Sequence, residues 1–318
     1  MNNMLKFSAS TAALAVLLSL GSVPAKAADP VDPGCTLSGS VMAGYMYNWQ
    51  SSEFEDEDDS IDGKDVDWDT PFGEGAGLVT CGGFNIQADI AYYAHSADVE
   101  FADIEIDQTN SHIGGALFYR DPASWAGGLG ASWISQDIFG FDIDIFRVGL
   151  FGEFYFDDMF TLGGSAHYYN SDWGDNFGNK DEDGFELAAW GRFYATPDFA
   201  LTLRGDVLLA TWDFSGDEEA DLDGFAITGD GEYLVWDQGL SLFAGARYAD
   251  RKLEFDDDDE EAKIEDFQVF GGIKFYFGHD GTLIERQRTG TVDNTSVFYE
   301  KLPNFEVSAA AANSSGAP

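Results

Sequence analysis

Residues 184–209 read GFELAAWGRFYATPDFALTLRGDVLL, and taking every second residue sorts them into two sets. Phe185, Leu187, Ala189, Gly191, Phe193 and Ala195 form one; Glu186, Trp190, Arg192 and Tyr194 form the other. A strand sends successive side chains to opposite faces, so this stretch predicts a strand with one apolar and one polar face. Thr196-Pro197-Asp198 interrupts it as a turn. The alternation then resumes, with Phe199, Leu201, Leu203, Gly205, Val207 and Leu209 opposite Thr202, Arg204 and Asp206. Each arm of this hairpin is long enough to cross a bilayer when tilted, for which about 9 to 11 residues suffice.

Working outward, the same period of two returns in Phe225–Val235, Leu240–Tyr248 and Phe267–Phe277. Toward the N-terminus it runs on even numbers through Phe84–Ala94, Phe146–Phe156 and Phe160–Tyr168. It runs on odd ones through Leu37–Trp49, Ser111–Tyr119 and Trp125–Trp133, with Phe72–Cys81 the weakest segment. That makes about twelve strands. Their connections alternate strictly. Gly82-Gly83, Arg120–Ser124, Asp157–Met159, Thr196–Asp198 and Trp236–Gly239 are short, whereas Ser51–Asp69, Ser96–Asn110, Gln136–Asp144, Asn170–Asp183, Ser215–Asp223 and Glu254–Glu265 are long. A soluble antiparallel sandwich shares the period of two, but unequal connections on the two ends point to a membrane barrel with short periplasmic turns and longer acidic extracellular loops. Aromatic residues cluster at both ends of the strands, as belts at two membrane interfaces require.

The N-terminus carries Lys6, a short apolar core from Ala12 to Leu20, and Ala25-Lys26-Ala27. This is the pattern of a cleaved signal peptide over 1–27, too short for a membrane-spanning helix. The barrel then occupies 28–278, and 279–318 follows as a flexible periplasmic tail. Asp and Glu number 58 against 16 Lys and Arg, a formal net charge of -42. Nucleic acid is excluded as a partner, because phosphate contacts require clustered cations. Cys35 opens the first strand and Cys81 closes its antiparallel neighbour, so a disulfide at one edge is expected, with two separate thiols the alternative.

From Cys35 to Gly278 the chain resembles the porin-like outer-membrane β-barrel families of Gram-negative bacteria, through its export signal, hairpin schedule and aromatic belts. The resemblance implies the cell outer membrane, with lipid and lipopolysaccharide around the barrel. Those families commonly finish on an aromatic residue; Phe275-Tyr276-Phe277 is similar, but the chain continues to Pro318.

Opposite the apolar set stand Arg147, Glu153, Glu186, Arg192, Arg204, Asp206, Asp230, Glu232, Arg247 and Lys274, joined by Asp89, Arg120 and Arg251. A Lys or Arg at mid-depth on the lipid face costs about 2 to 4 kcal/mol, so these charges are assigned to the lumen. They either line a narrow pore or fill the barrel with paired side chains. The expected function is passive diffusion of small hydrophilic solutes or ions with a cation preference; the alternative is a non-conducting structural or adhesive barrel. No enzyme motif is found: Ser165 and His167 share a strand face without a third orienting residue. No cofactor is expected beyond calcium or magnesium held loosely by acidic loops. Asp58, Asp62 and Asp69 approximate a calcium-loop spacing, a weak match without flanking helices.

Overall fold

A computed structural model describes residues 34–56, 59–62, 65–99, 104–138, 141–172, 181–214, 218–255 and 261–303. Residues 1–27, expected as a signal segment, together with Asp58 and residues 304–318, lie outside the described residues. Thirteen strands follow one another: β1 (Cys35–Asp56), β2 (Asp59–Asp62), β3 (Val66–Cys81), β4 (Phe84–Val99), β5 (Ile104–Asp121), β6 (Trp125–Ile138), β7 (Phe141–Phe156), β8 (Phe160–Asp172), β9 (Asp181–Thr196), β10 (Phe199–Phe214), β11 (Glu218–Trp236), β12 (Leu240–Phe255) and β13 (Glu261–Phe277). All pair antiparallel with their neighbours. β13 also pairs with β1 from Gly39↔Phe277 to Glu55↔Glu261, which closes the sheet into a barrel. Twelve strands make the wall, as the alternation predicts; β2 only folds back on the outer end of β1. Closure leaves the wall no unpaired edge, a requirement inside hydrocarbon.

Wall strands run 13 to 22 residues, longer than the apolar stretches that reveal them. The extra length reaches into segments expected as loops, and there the polarity of the wall reverses. On β10 the outward side chains are Leu201, Leu203, Val207 and Leu209, then Thr211; the inward ones are Thr202, Arg204 and Asp206, then Leu208, Ala210 and Trp212. β11 does the same, with Phe225 and Ile227 exposed above the short turn, and Asp221 and Asp223 exposed nearer the long loop. The portion next to the short turns is therefore apolar outside and polar inside, as lipid demands. The portion next to the long loops is acidic outside and buries a large apolar cluster inside, together with polar groups such as Gln50, Glu182 and the Arg251–Asp266 pair.

Tight turns close the first end. Gly82 adopts φ 63° in the turn between β3 and β4. At Gly239, φ is 114° and a Cβ would stand 2.2 Å from the Tyr276 carbonyl oxygen, so only glycine fits. In the turn after β5, the Ser124 hydroxyl and the Ala123 amide donate to Asp121, holding its carboxyl below the usual range. Cys35 and Cys81 face each other in register with Cα atoms 4.2 Å apart and are disulfide-bonded, which decides against separate thiols. β3 gave the weakest signal because its outward residues are Pro71, Gly73, Gly75 and Gly77 before Val79, small groups with no apolar stripe to read.

The chain after β13 departs from the sequence reading. Instead of standing in the periplasm, residues 279–303 turn back and run up the lumen. They form α1 (Leu283–Thr289), an extended stretch, and one π-helical turn, Val297–Lys301. The physical reason is the unfilled polar interior: twelve strands enclose more space than their own side chains occupy, and this segment supplies matching donors, acceptors and apolar groups.

Candidate functional site

The lumen is built by alternation, since every second residue of each strand must point inward. All ten charged residues assigned to it from sequence, Arg147, Glu153, Glu186, Arg192, Arg204, Asp206, Asp230, Glu232, Arg247 and Lys274, face the interior. They are shared between the wall and the internal segment, hereafter the plug.

The plug begins at the short turns. Thr282 and Glu285 form a reciprocal capping box that starts α1. Leu283 and Ile284 pack with Tyr194, Ala200, Leu234 and Tyr276. The Ile284 amide donates to the Pro197 carbonyl at 3.1 Å, and the Arg286 guanidinium to the Asp237 carbonyl at 2.5 Å, so two hairpin turns hold the helix. Higher up, wall side chains satisfy the plug backbone one group after another. Arg120 donates to Gly290 O at 2.6 Å, Gln87 bonds both the amide and the carbonyl of Val292 at 2.8 Å, and Arg147 donates to Asn294 O at 2.8 Å. Gln136 reaches Tyr299 O, Gln268 reaches Lys301 O, and Arg251 reaches Pro303 O at 2.8 Å. Buried backbone groups must find partners, and here the barrel wall provides them.

Charges are matched in the same way. Arg147 pairs with Glu186 at 2.9 Å, Arg204 with Asp206 at 2.7 Å and with Asp293 of the plug at 3.1 Å, and Arg251 with Asp266 at 2.7 Å. His112 stands between Asp89, at 2.5 Å, and Glu300 of the plug, at 3.0 Å. Glu232 accepts from Ser241, Tyr276 and Gln287. Gly114 and Gly130 clear the space for Asn294: a Cβ at either position would stand 2.9 Å and 2.6 Å from its side chain, respectively. Sequence reading missed Asp293, Asn294, Glu300 and Lys301, along with the inward His and Gln residues that meet them. The available signals were the Thr282–Glu285 capping box and the uncommon density of Gln, Asn and His on faces otherwise reserved for charge.

Toward the long loops the plug narrows the lumen with an apolar seal. Val297, Phe298, Tyr299 and Leu302 of the plug join one apolar cluster with Trp68, Ile106, Ile134, Ile145, Leu208, Trp212 and Ile264. Below this seal the plug leans on β4–β7 and leaves a cavity of about 250 Å³ against the opposite wall. Of the ten assigned charges, Glu153, Arg192, Arg204, Asp230, Glu232, Arg247 and Lys274 line it; Arg147, Glu186 and Asp206 do not.

The architecture is that of an outer-membrane β-barrel. Among solved structures the chain is similar to an outer membrane channel from Pseudomonas putida F1, with a TM-score of 0.50 and 12% identity over 79% of this chain and 100% of that one. Fainter likenesses are to a deletion mutant of the TodX monoaromatic hydrocarbon channel (TM-score 0.40, 8% identity, 77% and 90% covered) and to the KdgM porin (0.37, 10%, 72% and 99%). No protein-family model matches the sequence, and no curated protein sequence matches it.

The remaining candidates separate. His167 turns Nδ1 to Arg147 at 3.1 Å and its Nε2 has no hydrogen-bond partner among the described residues, so it does not engage Ser165. Of the calcium-loop residues, Asp69 accepts from the Tyr45 hydroxyl on the outer face, while Asp58 and the Asp62 side chain lie outside what is described. Among the described residues no three His, Cys, Asp or Glu side chains are grouped to hold a metal.

Proposed function

We propose that the protein is an outer-membrane channel for passive diffusion of small hydrophilic solutes or ions, narrowed by its own C-terminal segment. The single observation that carries this reading is the charged cavity of about 250 Å³ left between the plug and the wall, inside a barrel whose outer surface is apolar where lipid would lie. A barrel filled only for stability would close that space with side chains, because interiors pack densely. The surplus of carboxylates on the long-loop end concentrates cations at the mouth, which supplies the cation preference without fixed ligand geometry. Calcium or magnesium held there, with lipopolysaccharide as the neighbouring surface, belongs to the same reading.

A second reading has its own observation: the apolar seal around Val297–Leu302 favours a non-conducting structural or adhesive barrel. Planar-bilayer recording separates the two. The channel reading expects small cation-selective steps from the full mature chain and larger steps from a chain ending at Gly278. Silence from both, with the shortened chain demonstrably folded, would leave the structural barrel.

A further inference from the structure

We infer that the cavity beside the plug takes small zwitterions bearing a large apolar group, the chemistry of hydrophobic α-amino acids. The inference rests on the channel reading and names its substrate class.

The cavity has two unlike sides. One row of the wall reads Glu232, Phe243, Gly272, Gly44, Phe72 across β11, β12, β13, β1 and β3. Each phenylalanine lies over a glycine of this row: a Cβ at Gly272 would stand 2.7 Å from the tip of the Phe243 ring, and one at Gly44 2.5 Å from that of Phe72. Phe270 lies over Gly245 in the same manner, at 2.6 Å. The glycines let the rings rest flat against the barrel wall instead of crossing the lumen. With Met42 and Met46 beside them, they make an apolar floor open to the cavity.

The other side is charged, and its charges divide into two groups. Arg204 and Asp293 neutralise each other, Lys301 adds to that pair at 3.6 Å, and Arg247 is held by Thr228 and Gln268. Asp89 faces His112, and Glu232 collects three donors. Arg192 and Lys274, by contrast, form no direct ion pair among the described residues, and share the cavity lining with Glu153, Asp230 and Glu232. Arg192 donates to Thr202 at 3.4 Å and Lys274 lies 4.8 Å from the Tyr276 ring centre. Glu74, Glu153 and Asp230 likewise make no direct ion pair among the described residues, where Glu74 accepts from the Tyr93 hydroxyl and Glu153 from the Tyr155 hydroxyl. The row Arg192, Thr202, Asp230 on β9, β10 and β11 sets opposite charges on either side of one threonine.

Charges of both signs that line one cavity without touching one another leave room for a ligand to insert groups of opposite charge between them. A simple anion would answer Arg192 and Lys274 and leave the carboxylates; a simple cation would do the reverse. A zwitterion answers both, and only one with an apolar body uses the phenylalanine floor. The volume, below the roughly 300 to 1,000 Å³ of drug-sized pockets, limits that ligand to a small one.

Equilibrium dialysis on the detergent-purified, full-length mature protein tests this with L-phenylalanine, 3-phenylpropionate, 2-phenylethylamine and glycine. Phenylalanine should bind saturably and at least about ten-fold more tightly than each of the three, since every comparator leaves one partner set unmet. Arg192→Gln should erase its advantage over 2-phenylethylamine, Asp230→Asn its advantage over 3-phenylpropionate, and Phe243→Ala its advantage over glycine. Equal binding of phenylalanine and 3-phenylpropionate, or no saturable binding, by the unaltered protein would overturn the inference whatever the variants do. Conductance without this preference would sink the zwitterion site and leave the channel; saturable binding without conductance would do the opposite.

Discussion

The two ends of one strand obey opposite rules. Near its short turn β10 points Leu201 and Leu203 outward and Arg204 and Asp206 inward; near its long loop it points Thr211 outward and buries Leu208, Ala210 and Trp212. Neither the fold nor the period of two changes between them. What changes is the solvent on each side of the wall, and the side chains follow it. The lower half is an inverted surface suited to lipid, the upper half an ordinary protein with its core inside, and the plug spans both. Its polar stretch, Gly290 to Asn294, meets the charged half, and Val297, Phe298, Tyr299 and Leu302 meet the apolar cluster of the other, while Glu300 of the same turn reaches His112.

Substitutions can break or sharpen this contrast, and the largest effect belongs to the buried ion pair where the two halves meet. Glu186→Gln removes the partner of the buried Arg147 guanidinium and should cost about 3 to 5 kcal/mol, read as unfolding in lipid vesicles. In the upper half, Ile264→Ala empties a fully buried position and should cost about 2 to 5 kcal/mol, whereas Val269→Ala on the lipid face of the same strand should cost much less. Similar losses at both sites would mean that the upper half is not a core. Leu203→Arg puts a cation on the lipid belt, a penalty of about 2 to 4 kcal/mol, while Thr211→Arg, on the same face but beyond the belt, should be close to neutral. Equal penalties would move the membrane boundary toward the loops. The smallest effect is at the short turn after β5. Because the Asp121 carboxyl is held below its usual range, its contribution is present above the unfolded-state pKa and fades as pH falls through the lower folded-state value. Asp121→Asn should therefore flatten only the acid end of a stability-against-pH curve.

Much of this was legible from the sequence, and the limits have physical causes. Strand number, facing and the hairpin schedule follow from alternation against a single outer solvent, which is why residues such as Leu203 and Arg204 could be assigned without coordinates. The Cys35–Cys81 pair followed from the hairpin itself. The strand ends were harder, because past the aromatic belt the apolar residues change faces and the alternation no longer marks an outward side; Leu208 and Trp212 therefore belong to neither of the two sets that alternation picks out. The plug was hidden for another reason. Its residues are complementary to a curved interior assembled from twelve distant strands, so Asp293 acquires meaning only beside Arg204, and Glu300 only beside His112.

That complementarity is tested most directly by cross-linking the plug to the wall. Gln87 bonds both backbone groups of Val292, so Gln87→Cys and Val292→Cys bring two thiols together in the lumen. In folded protein in its membrane, oxidation should join them in nearly every molecule, and the cross-link should be recovered by peptide mass spectrometry. If position 292 is instead labelled by a water-soluble maleimide from outside the barrel and never joins position 87, the segment is not inside and the account fails.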